Sequence, residues 1–167
     1  MPLLPCRECK NEVSDQARSC PRCGAPFPAN NAWSGWGYEW RSKTSVMGWP
    51  LVHVAVGRDA KGKLRVARGV VAIGQFAIGI ITLAQFGVGL LFGLGQFTAG
   101  VVTVGQFALG GLFGLGQFAT GYLAIGQFAL GYCILAQTGF GELRWTQTVK
   151  DPGALEYFIR IFGRIWQ

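Results

Sequence analysis

Hydrophobic and polar positions alternate with a short, fixed period through the middle of the chain. From Ala72 onward Gln recurs at a nearly constant interval, and Gly recurs midway between successive Gln residues. The repeated polar positions are Gln75, Gln85, Gln96, Gln106, Gln117, Gln127 and Gln137. Divided into fives, the segment repeats as a larger unit of four pentads plus one inserted residue. Such a period predicts a repeat architecture in which equivalent residues stack on one another.

The pentads resemble those of the pentapeptide repeat proteins. That resemblance implies a short right-handed β-solenoid whose coils each contain one larger unit, about 21 residues. It also implies a column of Phe side chains that points inward. The predicted core stack is Phe76, Phe86, Phe97, Phe107, Phe118 and Phe128. The seven Gln side chains would point outward as a hydrogen-bonded amide ladder. This chain departs from the family because its outward positions are mostly Ile, Leu, Val, Ala and Gly.

An alternative fold is a run of Gly-rich transmembrane helices. The whole stretch between Arg68 and Glu142 carries no charge, and uncharged apolar stretches of this length usually span membranes. Against this alternative, the stretch holds 18 Gly, each costing about 1 kcal/mol relative to Ala inside a helix. It also contains no Pro, Asn, Asp or Ser at which separate helices would turn. We therefore expect a mainly β fold.

The coil length sets an expected size for the solenoid. Three and a half coils of about 21 residues, at about 4.8 Å each, would be about 17 Å long. That length is shorter than the hydrocarbon core of a bilayer, which is about 30 Å thick. A single upright copy would therefore fail to span a membrane, so we expect copies to associate or to be partly immersed.

Four cysteines near the start have the spacing of a metal site. The pattern is Cys6-x2-Cys9, ten residues, then Cys20-x2-Cys23. Two such turns complete a tetrahedral four-sulfur site suited to one structural Zn(II), and residues 4–28 resemble a short zinc ribbon. The alternative is a redox-active dithiol pair. Cys133 lies far away in the apolar repeat and is expected to be a core residue.

The remaining segments complete the domain organisation. We expect a zinc ribbon at 1–28, an aromatic linker at 29–50, a β-hairpin and solenoid at 51–148, and an amphipathic helix at 149–167. The hairpin turns at Lys61-Gly62, and His53 is expected to be an ordinary strand residue. The linker aromatics either form a membrane-interface belt or pack on the next domain. The helix, with Asp151 as its N-cap, either lies in a membrane interface or caps the last coil.

Composition and charge restrict the function. The net charge of +7 lies in the two ends, and the chain offers no nucleophile–base pair, so no enzyme and no small-molecule substrate are expected. We expect a self-associating, membrane-associated scaffold, a homo-oligomer analogous in architecture to the bactofilins. It would lie on the cytoplasmic side, because the N-terminus lacks a signal peptide. The alternative is an adaptor, anchored by a transmembrane segment, whose ribbon binds nucleic acid or a protein.

Overall fold

A computed structural model describes residues 2–163, and this part of the chain is mainly β with one C-terminal helix. It forms two compact units. The first contains the residues up to Trp36 together with Arg58–Lys63, and the second contains Gly37–Gly57 and the chain from Leu64 onward. Within the described range, no helix combines the length and apolar character needed to cross a membrane. The mainly β prediction is confirmed.

The first unit is small and irregular. Strand β1 (Leu3–Pro5) pairs antiparallel with β2 (Glu12–Ser14), and both flank the first pair of cysteines. An aromatic cluster of Phe27, Trp33 and Trp36 follows, with ring centroids 5.2–6.4 Å apart. With so little regular structure, the unit has only a small hydrophobic core, which consists mainly of cysteine and alanine.

The second unit is dominated by one very long extended segment. The strands that precede it in the chain are β3 (Gly35–Arg41), β4 (Ser45–Val46), β5 (Trp49–Pro50) and β6 (Val52–Asp59); the first two residues of β3 and the last two of β6 belong to the first unit. Strand β7 (Val66–Phe140) then runs for 75 residues, and β8 (Leu143–Trp145) follows it. Segment 29–50, predicted to be a linker, therefore contains three strands.

Strand β7 winds into coils that each contain one Gln-to-Gln interval. The Phe rings at this spacing stack on one another, with centroids 4.4–5.6 Å apart. At its end, β8 pairs parallel with β7 in the register Cys133↔Leu143, a separation of one such interval. The predicted coil of four pentads is thus too long by a factor of two. The cause is the small size of the inward side chains, which lets opposite walls approach until two pentads close a coil.

The interior of the coils consists mainly of Ala, Thr and Gly, with larger side chains such as Ile134 in the last coils, rather than of Phe. The residue after each Phe is buried, as at Ala77, Thr98, Ala108, Ala119 and Ala129. The rings of Phe86, Phe97 and Phe107 are 40–44% exposed. The Phe column therefore stacks as predicted, but the prediction that it points inward is wrong. Because strand side chains alternate, a shift of one position moves a whole column to the other face.

Strand β6 forms the first layer of the coiled segment. It pairs parallel with β7 in the register Val52↔Val71, so the predicted hairpin between these strands is wrong. Only the connecting turn has hairpin character, with the N–H of Asp59 donating to the carbonyl of Lys63 at 2.9 Å. Parallel pairing follows because the chain completes a turn between the two strands and returns in the same direction.

Helix α1 (Pro152–Phe162) packs on the last coils. Its N-cap is Asp151, which accepts a hydrogen bond from the N–H of Gly153 at 2.9 Å. The buried side chains of Ala154 and Phe158 contact Leu123 and Cys133. These contacts favour the capping interpretation of the helix. The predicted helical residues from Arg164 onward, including Ile165 and Trp166, lie outside the described residues.

Candidate metal centre

Two similar backbone turns position the four cysteines. In the first turn the N–H of Lys10 donates to the carbonyl of Cys6 at 2.9 Å, and Lys10 has a positive φ of 63°. In the second turn the N–H of Gly24 donates to the carbonyl of Cys20 at 2.9 Å, with φ of 75°. Glycine adopts this left-handed conformation without steric cost, which accounts for Gly24 at this point.

The four sulfur atoms converge on one point. All four Sγ atoms lie within 4.8 Å of one another. The Sγ atoms of Cys6 and Cys23 are 3.7 Å apart, and those of Cys9 and Cys20 are 3.6 Å apart. Four zinc–sulfur bonds of about 2.3 Å in a tetrahedron place sulfurs about 3.8 Å apart. The geometry therefore fits one four-coordinate metal ion, with all its coordination positions filled by protein.

The thiols differ in how readily they lose a proton. The backbone N–H of Cys9 lowers the pKa of Cys6 to about 6, although desolvation opposes the shift. The N–H of Cys23 likewise lowers the pKa of Cys20. At Cys23 the N–H of Ala25 has the same effect, but desolvation and contacts with the other thiols outweigh it and raise the pKa to about 12. Ionising all four thiols therefore requires a cation between them.

The predicted Gln column lies on the outside of the coiled segment. Gln75 is partly buried and accepts a hydrogen bond from the N–H of Gly57 at 3.2 Å. The other six, from Gln85 to Gln137, are exposed. Within residues 2–163 no hydrogen bond joins one of these amides to another, so the described chain lacks the predicted amide ladder. The Gln side chains therefore align in a column, but within one chain their amides are not hydrogen-bonded to one another.

A polar cluster that the sequence pattern did not predict links β3, β6 and β7. Glu39 accepts a hydrogen bond from Arg41 at 2.6 Å and forms an ion pair with Arg65. The buried imidazole of His53 lies 3.4 Å from Glu39, and its Nδ1 accepts the N–H of Arg68 at 2.8 Å. Glu39 and Arg41 lie two residues apart in one strand and so share a face, which was the available sequence indication. Nothing in the sequence pairs either of them with His53.

The chain matches no family model, no curated protein and no solved structure in comparisons with known proteins. The resemblances to zinc ribbons and to pentapeptide repeat proteins therefore depend on the residues described above.

Proposed function

We propose that this chain is a non-enzymatic structural protein, a self-associating membrane scaffold that carries one structural zinc ion. The observation that supports a membrane role is the exterior of β7, which is largely apolar apart from the Gln column and has no charge between Arg68 and Glu142. Soluble monomers rarely expose apolar patches beyond a few hundred Å². Large apolar side chains are exposed along the whole repeat, including Val88 at 55%, Leu90 at 65% and Leu112 at 54%.

A coil of two pentads, instead of the predicted four, changes how the coiled segment β7 fits a bilayer. Seven coils, one for each Gln, at about 4.8 Å per coil give an uncharged length of about 34 Å. The hydrocarbon core is about 30 Å thick, so a single copy is long enough to cross it along its own axis. Every inner coil pairs with two neighbours, which leaves unpaired backbone groups only at the two ends. In this orientation those groups lie at the membrane surfaces, where water satisfies them.

Aromatic residues at the two ends support the same orientation. Residues 50–121 contain neither Trp nor Tyr. Trp40 and Trp49 are exposed before the repeat, and Tyr122 and Tyr132 are exposed in its last coils. Trp and Tyr prefer the two membrane–water interfaces. We place the zinc-binding cysteines on the cytoplasmic side, because thiols stay reduced there.

Fractionation and sizing test this function. The full-length protein should sediment with membranes, resist extraction at alkaline pH, and elute from a sizing column in detergent as a zinc-containing homo-oligomer. Alkaline extraction is the discriminating step, because it releases proteins that are bound only at the surface. A monodisperse monomer that remains in the supernatant without detergent would refute the proposal.

An adaptor function for the ribbon is the second candidate. The basic residues near the cysteines are Arg7, Lys10, Arg18 and Arg22. Arg7 is already engaged, because its guanidinium lies 4.3 Å from the Trp33 ring centroid and pairs with Glu8 at 3.3 Å. Binding of the full chain to DNA or RNA that weakens steeply with salt would favour the adaptor function.

A further inference from the structure

The Gln column is the most extended polar feature of a largely apolar exterior. Each of the six amides from Gln85 to Gln137 projects from an uncharged coil, and neighbours in the column are one coil apart. In water these amides would be solvated. In hydrocarbon an amide without a hydrogen-bond partner costs several kcal/mol, and the column repeats that cost six times. A membrane-embedded body therefore needs a partner that covers this column.

The column is open to such a partner. Beside its last members lies an open groove of about 780 Å³. Gln117, Gln127 and Gln137 line the groove, and Gly116 and Gly126 lie next to the first two of them. The groove is open to the outside, so another molecule can approach these amides. The amides are therefore accessible from the side of the coils.

We propose that the Gln column is the contact surface between two copies of this chain. This proposal rests on the membrane function proposed above and specifies the surface through which the copies associate. The amides recur about every 4.8 Å along the coil axis, and a partner that pairs with all six must present hydrogen-bonding groups at that same interval. A second copy of the chain carries the same Gln column and therefore presents amide groups at the same interval.

The chemistry of the amide also fits a second copy. A Gln side chain donates two hydrogen bonds and accepts others, so two identical columns can satisfy each other. Polar side chains join apolar segments in membranes in the same way. On the opposite side of the coils the exposed column is apolar through Leu91, Val101 and Leu112, and it gains hydroxyl groups in the last coils, at Tyr122 and Tyr132. We therefore expect the Gln side to face the second copy and the opposite side to face lipid.

Site-specific photo-crosslinking in membranes tests the proposed surface. A benzophenone amino acid replaces Gln106, at the centre of the column, in the full-length protein. The matched control carries the same group at Leu112, half a coil away and 54% exposed. We expect a crosslinked dimer from position 106 and at least five-fold less dimer from position 112. Equal yields at the two positions, or no dimer from position 106, would overturn the proposal.

A set of substitutions provides an independent test. The variant changes Gln96, Gln106 and Gln117 to Leu, and the control changes Leu91, Val101 and Leu112 to Ala. The Gln variant should remain in the membrane fraction with unchanged β circular dichroism but elute as a monomer in detergent, whereas the control stays dimeric. A Gln variant that is still dimeric would overturn the proposed contact and leave the membrane function intact. Unmodified protein that is absent from membranes would instead refute the proposed function itself.

Discussion

Individual glycines determine how closely successive coils approach. A methyl group at Gly105 would overlap the carbonyl oxygen of Gly95 in the preceding coil, and the same holds at Gly116 against Gly105. The backbone there has no room for a side chain. At Gly111, by contrast, the nearest heavy atom would be 3.9 Å from an added methyl group.

These two environments give a matched pair of substitutions. Gly105→Ala should lower the free energy of unfolding by about 2 kcal/mol or more, because two backbones must separate. Gly111→Ala should change it by less than about 0.5 kcal/mol. Denaturant unfolding of both variants in detergent measures the difference. Equal stability would show that the coils do not pack as described.

Buried threonines give a second prediction for single residues. In the part of the chain that the structure describes, the hydroxyls of Thr82, Thr98 and Thr103 are buried and make no hydrogen bond. The hydroxyl of Thr120, by comparison, donates to the carbonyl of Gly110 at 3.3 Å. Burial of an unpaired hydroxyl is unfavourable, and Val has nearly the same shape as Thr.

Thr103→Val should therefore raise the unfolding free energy by about 1 kcal/mol, and Thr120→Val should lower it by a similar amount. Thermal unfolding followed by circular dichroism compares the two variants. A loss of stability in Thr103→Val would mean that its hydroxyl is satisfied by buried water.

Among the structural elements, the two cysteine turns are expected to depend most on a bound metal ion. Their unit has a small core, so a bound metal should supply much of its folding free energy. Cys20→Ser should abolish binding of one zinc per chain, whereas Cys133→Ala, which changes a cysteine that is not part of the four-sulfur cluster, should retain it. Elemental analysis measures the metal content. Zinc retained by Cys20→Ser would contradict the four-sulfur site.

Zinc retention should also depend on pH. Zinc binds thiolates, so protons compete with the ion for all four thiols. Zinc should therefore be released progressively as the pH falls. Chelation should change Trp33 and Trp36 fluorescence and leave the β circular dichroism of β7 intact. Loss of both signals together would show that the repeat also depends on the metal.

The polar cluster on β3, β6 and β7 gives a pH-dependent contribution to stability. A hydrogen bond from Arg41, assisted by Arg65, lowers the pKa of Glu39 below its ordinary value of 4.5. The carboxylate therefore stabilises the fold fully above about pH 4.5, and its contribution declines as the pH falls further. Glu39→Gln should cost about 1 kcal/mol at pH 7 and progressively less in acid. Exposed Glu156→Gln is the control, and an effect of Glu39→Gln that does not vary with pH would exclude this role.

For the whole molecule, the number of coils determines the uncharged length. Deletion of residues 93–113, one unit of four pentads with its inserted residue, removes two coils and should shorten the body by about 10 Å. The shortened protein should prefer bilayers of short-chain lipids, because a mismatch between protein and hydrocarbon thickness is unfavourable. Reconstitution into vesicles of graded acyl length compares it with the full-length protein. An unchanged preference would contradict the upright orientation.

Local spacing determined the features that the sequence predicted correctly. The close approach of four sulfurs follows from two Cys-x2-Cys turns, because each turn is short enough to constrain both of its thiols. The N-cap at Asp151 followed by Pro152 likewise depends only on neighbouring residues. The mainly β fold follows from the glycine content and the unbroken period, which are incompatible with several separate helices.

Tertiary packing determined two features that residue spacing alone could not: the number of residues in each coil and the face on which the Phe column lies. The Gln-to-Gln period shows that equivalent residues stack, but it does not show whether one or two periods close a coil. Contact between the small inward side chains lets one Gln-to-Gln interval close each coil. The coiled segment therefore has twice as many coils, and is twice as long, as the sequence predicted. The face on which Phe76 and its equivalents lie depended on a register shift of one residue, which the pattern alone could not determine. The contact between His53 and Glu39 likewise depends on tertiary structure, because strand pairing brings together residues that are distant in sequence.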